Sequence, residues 1–197
     1  MLKIGITGGI GSGKTTVCHV FETLGIPVFY ADTVAKEIMV SDEILVAGVK
    51  EAFGAESYIG GTLNRQHISG IVFNDQQQLD RLNALVHPAV FRAFESWLGT
   101  VPEDVPYILK EAALLFESGS YRMCDRSILV TAPLELKLKR VTDRDQSTQV
   151  QVMARMDKQF SDEQKSPMAD DFILNDESQS IISQVLALHQ KYLHKAF

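Results

Sequence analysis

The sequence GGIGSGKT at residues 8–15 fits the pattern G-x-x-x-x-G-K-[ST] and directly follows an apolar run at residues 2–7. The apolar run predicts a buried strand, and apolar residues at three- and four-residue steps after Lys14 predict a helix. Glycines allow the positive φ angles that turn successive N–H groups toward an anion, and a helix N-terminus adds a partial positive charge. Residues 8–15, called the phosphate loop below, are therefore predicted to bind phosphate. The alternative is a glycine-rich turn that binds nothing.

Two side chains of the phosphate loop bring their own chemistry. Lys14 supplies a mobile positive charge for the terminal phosphates of a nucleotide, and the hydroxyl of Thr15 is of the kind that ligates Mg²⁺. The loop alone does not distinguish a kinase from a GTPase or an ATPase motor.

The composition excludes several classes of protein. The chain has 197 residues, 45% of them hydrophobic and 22% charged, and a net charge of −6, which is typical of one globular domain and unfavourable for a nucleic-acid partner. No apolar run approaches the length of a membrane span, and the first strand begins without a signal-peptide pattern, so we expect a cytoplasmic protein with no membrane partner. Cys18 and Cys124 are expected to be free thiols, and no protein-built metal cluster is predicted.

Four further apolar, β-branched runs predict the other strands of a sheet. They lie at residues 26–30, 107–110, 126–131 and 171–174. Because these strands alternate with helical patterns, we predict an α/β protein with a parallel sheet of five strands. The last helix is predicted to bury Ile181, Ile182, Val185, Leu188 and Tyr192.

A long helical region separates the second predicted strand from the third. Helices are predicted at residues 42–53 and 63–73, with a loop at 54–62, and at 76–98, where Pro88 is expected to end one helix and start another. The region covers roughly 75 residues, which is too long for a simple crossover. We predict an inserted helical subdomain at residues 33–98 that covers the substrate. The alternative is a packing extension unrelated to the substrate.

Asp32 directly follows the second predicted strand, where ligands of parallel sheets gather. Its carboxylate is suited to accept a proton from an attacking hydroxyl. An aspartate at this position is equally suited to be the N-cap of a helix that begins at Thr33. Sequence spacing leaves both interpretations open.

Three arginines surround a short polar region after the fourth predicted strand. A helix is predicted from Pro133 to about residue 143, a polar helix at 149–160, and a capping box at 161–164. Arg140, Arg144 and Arg155 would suit a lid that closes on a phosphate chain. The alternative is a set of surface ion pairs with the nearby acids Glu135, Asp143, Asp145 and Asp157.

Three other residues carry weaker signals. His87 precedes a helix-starting proline, so it is either a structural cap or a substrate contact from the helical region. Glu111 and Glu117 are candidates for holding Mg²⁺ through water.

Several segments in succession resemble the dephospho-CoA kinase family. They are IGITGGIGSGKTT (4–16), FYADTVA (29–35), GTLNRQHISGIVFND (61–75), LNALVHPAV (82–90), ALLFESG (113–119), LKRVTDRDQ (138–146) and ADDFILND (169–176). The resemblance implies the P-loop NTPase fold, a three-layer α/β/α arrangement around a mainly parallel five-stranded sheet in a single domain, residues 1–197. It also implies ATP-dependent phosphorylation of the ribose 3′-hydroxyl of dephospho-CoA, which completes coenzyme A, with Mg²⁺ as cofactor.

The resemblance also implies roles for individual residues. Asp32 matches the general base, Lys14 and Arg140 would complete the catalytic set, and Arg144 is a lid-side arginine at the ATP, within a lid at 144–168. The residues expected to bind ATP in the loop are Gly9, Gly11, Ser12, Gly13, Lys14, Thr15 and Thr16, with Thr15 also at the metal. The residues expected on the substrate side are Thr7, Asp32, Arg65 and His87.

One segment departs from the family pattern, and two other functions remain open. The family usually has Asp-x-Pro before Leu-Leu-Phe-Glu, whereas this chain has Glu111-Ala112-Ala113, which puts a metal role for Glu111 in doubt. The alternatives are another small-molecule kinase of the nucleoside-monophosphate type and a P-loop switch, although no N-K-x-D guanine-specificity motif is present. A monomer or a weak homo-oligomer is expected.

Overall fold

The strands of the main sheet come from widely separated parts of the chain. The structure is a computed structural model and describes residues 1–73 and 75–194. The strands in these residues are β1 (Leu2–Thr7), β2 (Val28–Tyr30), β3 (Tyr58–Ile59), β4 (Thr62–Leu63), β5 (Tyr107–Glu111), β6 (Arg126–Thr131) and β7 (Asp171–Leu174). The α-helices are α1 (Lys14–Thr23), α2 (Ala31–Ser41), α3 (Glu43–Phe53), α4 (Arg65–Val72), α5 (Gln76–Leu98), α6 (Leu134–Asp145), α7 (Gln149–Met156), α8 (Asp162–Lys165) and α9 (Ile181–Leu193).

Five of these strands form one sheet in the order β2-β5-β1-β6-β7, and every neighbouring pair is parallel. The predicted α/β fold with a five-stranded parallel sheet is confirmed. Ile4 and Ile6 of β1 are fully buried, as expected for a central strand covered on both faces. The phosphate loop follows the carboxyl end of this strand, which is the edge where parallel sheets bind their ligands.

The chain forms two compact units. One comprises Met1–Tyr30 and the chain from Val101 onward, and the other comprises Ala31–Thr100. In the first unit the ring of Tyr107 on β5 packs edge-on against Phe21 of α1 and Tyr192 of α9. Its hydroxyl lies 2.6 Å from Nδ1 of His189, so the buried phenol is also hydrogen-bonded. These contacts join the sheet to the first and the last helix.

The second unit is helical and has its own core. Leu45 and Val49 of α3 pack with Met39 of α2, Ile68 of α4 and Ala89 of α5. Asp42 is the N-cap of α3, and its side chain accepts a hydrogen bond from the backbone N–H of Leu45 at 2.8 Å. This unit contains the predicted insertion at residues 33–98, whose role in substrate binding remains a prediction.

The structure corrects the sequence-based account of the helix that contains Pro88. The predicted break is wrong, because α5 is continuous with Pro88 inside it. Proline removes one N–H donor and crowds the preceding turn, which usually bends or ends a helix. Here the residues that follow, Ala89, Val90 and Phe94, are buried, and their packing holds the helix together.

Three smaller predictions are also wrong. Residues 54–62 are not only a loop, because β3 and β4 form an antiparallel hairpin around Gly60 and Gly61, which both have positive φ angles as a two-residue turn requires. The following helix begins at Arg65 rather than at residue 63, because Asn64 is its N-cap. In α9, Ile182 is 58% exposed and is not part of the buried face.

The carboxylate of Asp171, the first residue of β7, contacts side chains of β6 and α9. A substitution at this position therefore tests how these elements pack. Its carboxylate bonds with Lys191 and accepts hydrogen bonds from the hydroxyl of Tyr192 (2.9 Å) and Nε of Arg126 (3.3 Å). Burial alone would raise the pKa of Asp171, but the hydrogen bonds and charges of these partners hold the pKa below its ordinary value. The ionised carboxylate therefore stabilises the fold, and this contribution falls when the group is protonated.

We predict that Asp171→Asn lowers the free energy of unfolding at pH 7 by about 1.5–3 kcal/mol, because the partners lose a charged acceptor. The difference from wild type should be full above the ordinary pKa of an aspartate and should vanish as the pH falls through the lower folded-state pKa. Urea unfolding from pH 7 to pH 3 measures it. The control is Asp104→Asn, because Asp104 is exposed. Equal losses in both variants would contradict the assignment.

Candidate active site

The phosphate loop has the backbone conformation that its glycines predict. Gly11 and Gly13 have φ angles of 81° and 94°, and Gly13 is the N-cap of α1. A Cβ atom at Gly11 would lie 2.5 Å from the carbonyl oxygen of Lys137, and one at Gly13 would overlap the side-chain amide of Asn175. Only glycine is accommodated at these two positions, and the first N–H groups of an α-helix point out of its end, where an anion can bind.

Lys14 lies back over the loop from the first turn of α1. Its Nζ donates a hydrogen bond to the carbonyl oxygen of Gly8 at 2.9 Å and lies 4.0 Å from Oε1 of Glu111 at the end of β5. Both side chains are about nine-tenths buried. A cation is therefore held at the loop by the backbone and by a carboxylate. A phosphate chain bound in the loop would lie beside this cation.

Asn175, which follows β7, makes a side-chain hydrogen bond to the phosphate loop. Its Nδ2 donates to the carbonyl oxygen of Ser12 at 2.8 Å. Arg140 of α6 donates from Nη1 to the carbonyl oxygen of Asn175 and from Nη2 to its Oδ1, both at 3.2 Å, and reaches Glu177 at 3.3 Å. Arg140 is therefore linked to the phosphate loop through a single residue.

The other two arginines converge on one carboxylate. Arg144 and Arg155 pair with Asp145 at 2.7 Å and 2.9 Å, and their hydrogen bonds lower the pKa of Asp145 to about 2. The hydrogen bond to Asp145 also raises the pKa of Arg144. These are ion pairs of the kind that the surface interpretation predicted, so contact of Arg144 with ATP requires an exchange of partners.

A cavity of about 610 Å³ lies beside the phosphate loop. Its wall includes Gly9 and Ile10 of the loop, the start of α6, and residues from α7 and α8. Lys137 and Asp162 both line this wall, and they form an ion pair at 2.7 Å. The predicted capping box of Ser161 and Gln164 is confirmed at the start of α8. A volume of this size is in the range of small-molecule pockets.

The hydroxyl groups predicted to contact metal and substrate differ in their exposure. Thr15 and Thr16 are exposed in the first turn of α1. Thr7 is fully buried, and its hydroxyl donates to the carbonyl oxygen of Ala113 at 3.3 Å, so its side chain faces the protein interior. Glu117 accepts hydrogen bonds from Lys165 and from the N–H of Phe160, so its Oε1 is already used by the protein.

The remaining substrate-side candidates belong to the helical unit. Asp32 is exposed in the first turn of α2, which begins at Ala31, so the N-cap interpretation of Asp32 is wrong. Arg65 is exposed at the first position of α4. His87 lies inside α5, where burial lowers its pKa and favours the neutral imidazole. Roles for these residues in substrate binding remain predictions.

Three residues that support the site carried no sequence signal of their own. Asn175 and Gln159 bond to backbone atoms of the phosphate loop, and Lys165 is a fully buried lysine paired with Glu117. Asn175 lies in a segment that resembles the family, but the short motif itself does not reveal its partner. Among the residues that the structure describes, no group of three or more His, Cys, Asp or Glu is arranged to hold a metal ion.

Comparisons with known proteins agree on one family. The family model described as "CoaE: Dephospho-CoA kinase" matches residues 2–180. The chain is 44% identical over 178 residues to a dephospho-CoA kinase from Salinibacter ruber, covering 89% of each chain. It is similar to the crystal structure of TT1252 from Thermus thermophilus, with 33% identity, a TM-score of 0.85 and 96% coverage of both chains. A dephospho-CoA kinase from Campylobacter jejuni has the same fold, with 24% identity, a TM-score of 0.72 and coverage of 99% and 98%.

We predict that Asn175→Ala weakens ATP binding about tenfold. The substitution leaves the carbonyl oxygen of Ser12 without its side-chain donor and removes the Oδ1 acceptor of Arg140, a loss of roughly 1–2 kcal/mol. Titration calorimetry with ATP measures the change. The matched control is Asp176→Ala, because that carboxylate bonds to Ser178 in its own loop. Wild-type affinity in Asn175→Ala would show that the phosphate loop does not depend on this contact.

Proposed function

The chain belongs to the dephospho-CoA kinase family, and we propose how its residues transfer the γ-phosphoryl group of ATP to the ribose 3′-hydroxyl of dephospho-CoA. The observation that carries the function is the family match over residues 2–180, which includes the phosphate loop. The products are coenzyme A and ADP. A loose transition state requires little covalent chemistry from the protein, so positioning and charge neutralisation provide most of the rate enhancement.

The phosphate loop and Lys14 hold the donor in this proposal. Backbone N–H groups at the start of α1 receive the phosphate oxygens, and the Nζ of Lys14 exchanges its bond with Gly8 for one with the terminal phosphates. Arg140, which Asn175 holds beside the loop, stabilises the charge that develops on the leaving ADP. When ATP is bound, Arg144 is proposed to leave Asp145 and to contact the ATP together with Arg140.

The residues at the start of α1 fit a magnesium ion. Mg²⁺ prefers oxygen ligands and keeps several of its waters, so an exposed hydroxyl such as that of Thr15, together with substrate phosphates, can hold it. A magnesium ion held there would neutralise negative charge on the phosphates. Thr15 is the residue that we propose as its protein ligand.

Asp32 is proposed as the general base. Its carboxylate orients the ribose 3′-hydroxyl and accepts its proton as the oxygen bonds to the γ-phosphorus and the bond to the β-phosphate oxygen breaks. We place the acceptor with the helical insertion at residues 33–98, where Arg65 and the neutral His87 bind it. Residues 144–168 are proposed to act as a lid that excludes water and so prevents hydrolysis of ATP.

A cytoplasmic enzyme that acts as a monomer or a weak homo-oligomer fits this role. None of the helices within residues 1–73 and 75–194 has the length and apolar character needed to cross a membrane. The substrates are small charged molecules, and the acidic net charge of −6 does not favour nucleic acid as a partner.

A substrate panel tests the proposed function. We expect ADP release from ATP to depend on dephospho-CoA and to be at background level with nucleoside monophosphates, sugars or no acceptor. Release with a nucleoside monophosphate instead would indicate the alternative kinase. Slow release that no acceptor changes would indicate a nucleotide switch.

We predict that Asp32→Asn lowers kcat by about 10²–10⁴-fold, because the amide cannot accept the proton of the 3′-hydroxyl. ATP affinity should stay within about twofold of wild type, since the loop is untouched. Steady-state kinetics with dephospho-CoA measures kcat, and calorimetry measures ATP affinity. Glu37→Gln is the control, because Glu37 is an exposed carboxylate on the same helix. Normal turnover in Asp32→Asn would remove the base assignment.

A further inference from the structure

The segment after α7 makes a direct hydrogen bond to the phosphate loop. Oε1 of Gln159 accepts from the backbone N–H of Ile10 at 3.0 Å. Ile10 lies in the turn that the N–H of Ser12 closes by donating to the carbonyl oxygen of Gly9. The loop therefore has one of its amides bound by a side chain that is 149 residues away in the sequence.

The position of Gln159 is fixed by its neighbour. The N–H of Phe160 donates to Oε1 of Glu117 at 2.8 Å, and the same oxygen lies 3.1 Å from Nζ of Lys165. Lys165 is fully buried and also donates to the carbonyl oxygen of Ala113 at 3.0 Å. A buried ion pair requires good geometry to persist, so this pair holds Phe160, and with it Gln159, in one place.

The same network returns to the strand before the phosphate loop. The carbonyl oxygen of Ala113 accepts from Lys165 and from the hydroxyl of Thr7, the last residue of β1. The contacts thus run from Thr7 through Ala113, Lys165 and Glu117 to the segment that contains Gln159, and Gln159 contacts the loop. The strand end at Thr7 and the segment of Gln159, which contacts the loop, are therefore both connected to the buried Lys165.

An ion pair lies beside the same turn. Lys137 and Asp162 form an ion pair whose atoms would lie 3.4 Å and 3.5 Å from a Cβ atom placed on Gly9. Their side chains are 12% and 19% exposed, so water screens this pair less than a surface pair. Segment 159–162 therefore lies against the turn at Gly9 and Ile10, with one hydrogen bond to Ile10 and an ion pair beside Gly9.

We propose that Gln159 is a positioning residue for phosphoryl transfer, which holds the Ile10 amide and so fixes the shape of the phosphate loop that receives ATP. This inference rests on the proposed function of the loop. Because small displacements of reacting groups cost large factors in rate, a loop that varies in shape would bind ATP less well. Gln159 acts through the backbone of Ile10.

Two variants of Gln159 test this role. Gln159→Met keeps the length of the side chain but removes the acceptor, and Gln159→Glu keeps an acceptor for the Ile10 N–H. We expect Gln159→Met to weaken ATP binding about five- to tenfold and to speed hydrogen exchange at the Ile10 amide about tenfold. In Gln159→Glu the Ile10 amide should exchange as slowly as in wild type. Gln190→Met, at an exposed position of α9 outside the proposed lid, is the control and should change neither quantity.

The measurements separate positioning from general stability. The melting temperature should stay within about 4 °C of wild type in all variants, and the KM for dephospho-CoA should be unchanged, since only one part-buried hydrogen bond is altered. Wild-type ATP affinity in Gln159→Met, or fast exchange at Ile10 in Gln159→Glu, would overturn the proposal. Calorimetry and hydrogen exchange need no acceptor, so they decide the role of Gln159 even if transfer to dephospho-CoA is not found.

Discussion

The close approach of neighbouring groups to the glycines of the phosphate loop is the constraint on which the rest of the site depends. At Gly11 the carbonyl oxygen of Lys137 comes within 2.5 Å of where a Cβ atom would be, and at Gly13 the amide of Asn175 occupies that space. The positive φ angles at both positions turn the chain from β1 into α1. Because α6 and the residue after β7 pack directly on the loop, the sheet order that places β6 beside β1 and β7 beside β6 is itself part of the binding site.

Two lysines near the loop are paired with carboxylates. Lys14 lies near Glu111, and the fully buried Lys165 pairs with Glu117. A lone buried charge would cost several kcal/mol, and these pairings offset that cost. The arrangement places positive charge near the expected phosphates while the protein as a whole has a net charge of −6. Local geometry, and not the overall charge, therefore makes the site suited to an anionic substrate.

Features fixed by local chemistry could be predicted from the sequence, and those fixed by packing could not. The five strands of the main sheet, the phosphate loop and the Ser161 capping box follow from residue types at short spacing, and the structure contains them. The continuity of α5 through Pro88 depends on the burial of later residues, which local rules for proline do not include. The hydrogen bond between Asn175 and Ser12 joins residues 163 apart in the chain, so the periodicity of the sequence does not predict it. The sequence correctly predicts that Asp32 follows β2. It does not predict that Asp32 lies inside α2, because that depends on where the helix begins.

Phosphorus NMR of the product formed from ATP and dephospho-CoA tests the central claim most directly. We expect one new phosphomonoester on the ribose 3′-oxygen, formed in equal amount to ADP and only when dephospho-CoA is present. Free phosphate in place of that ester, or a phosphoryl group on a different atom of the acceptor, would contradict it.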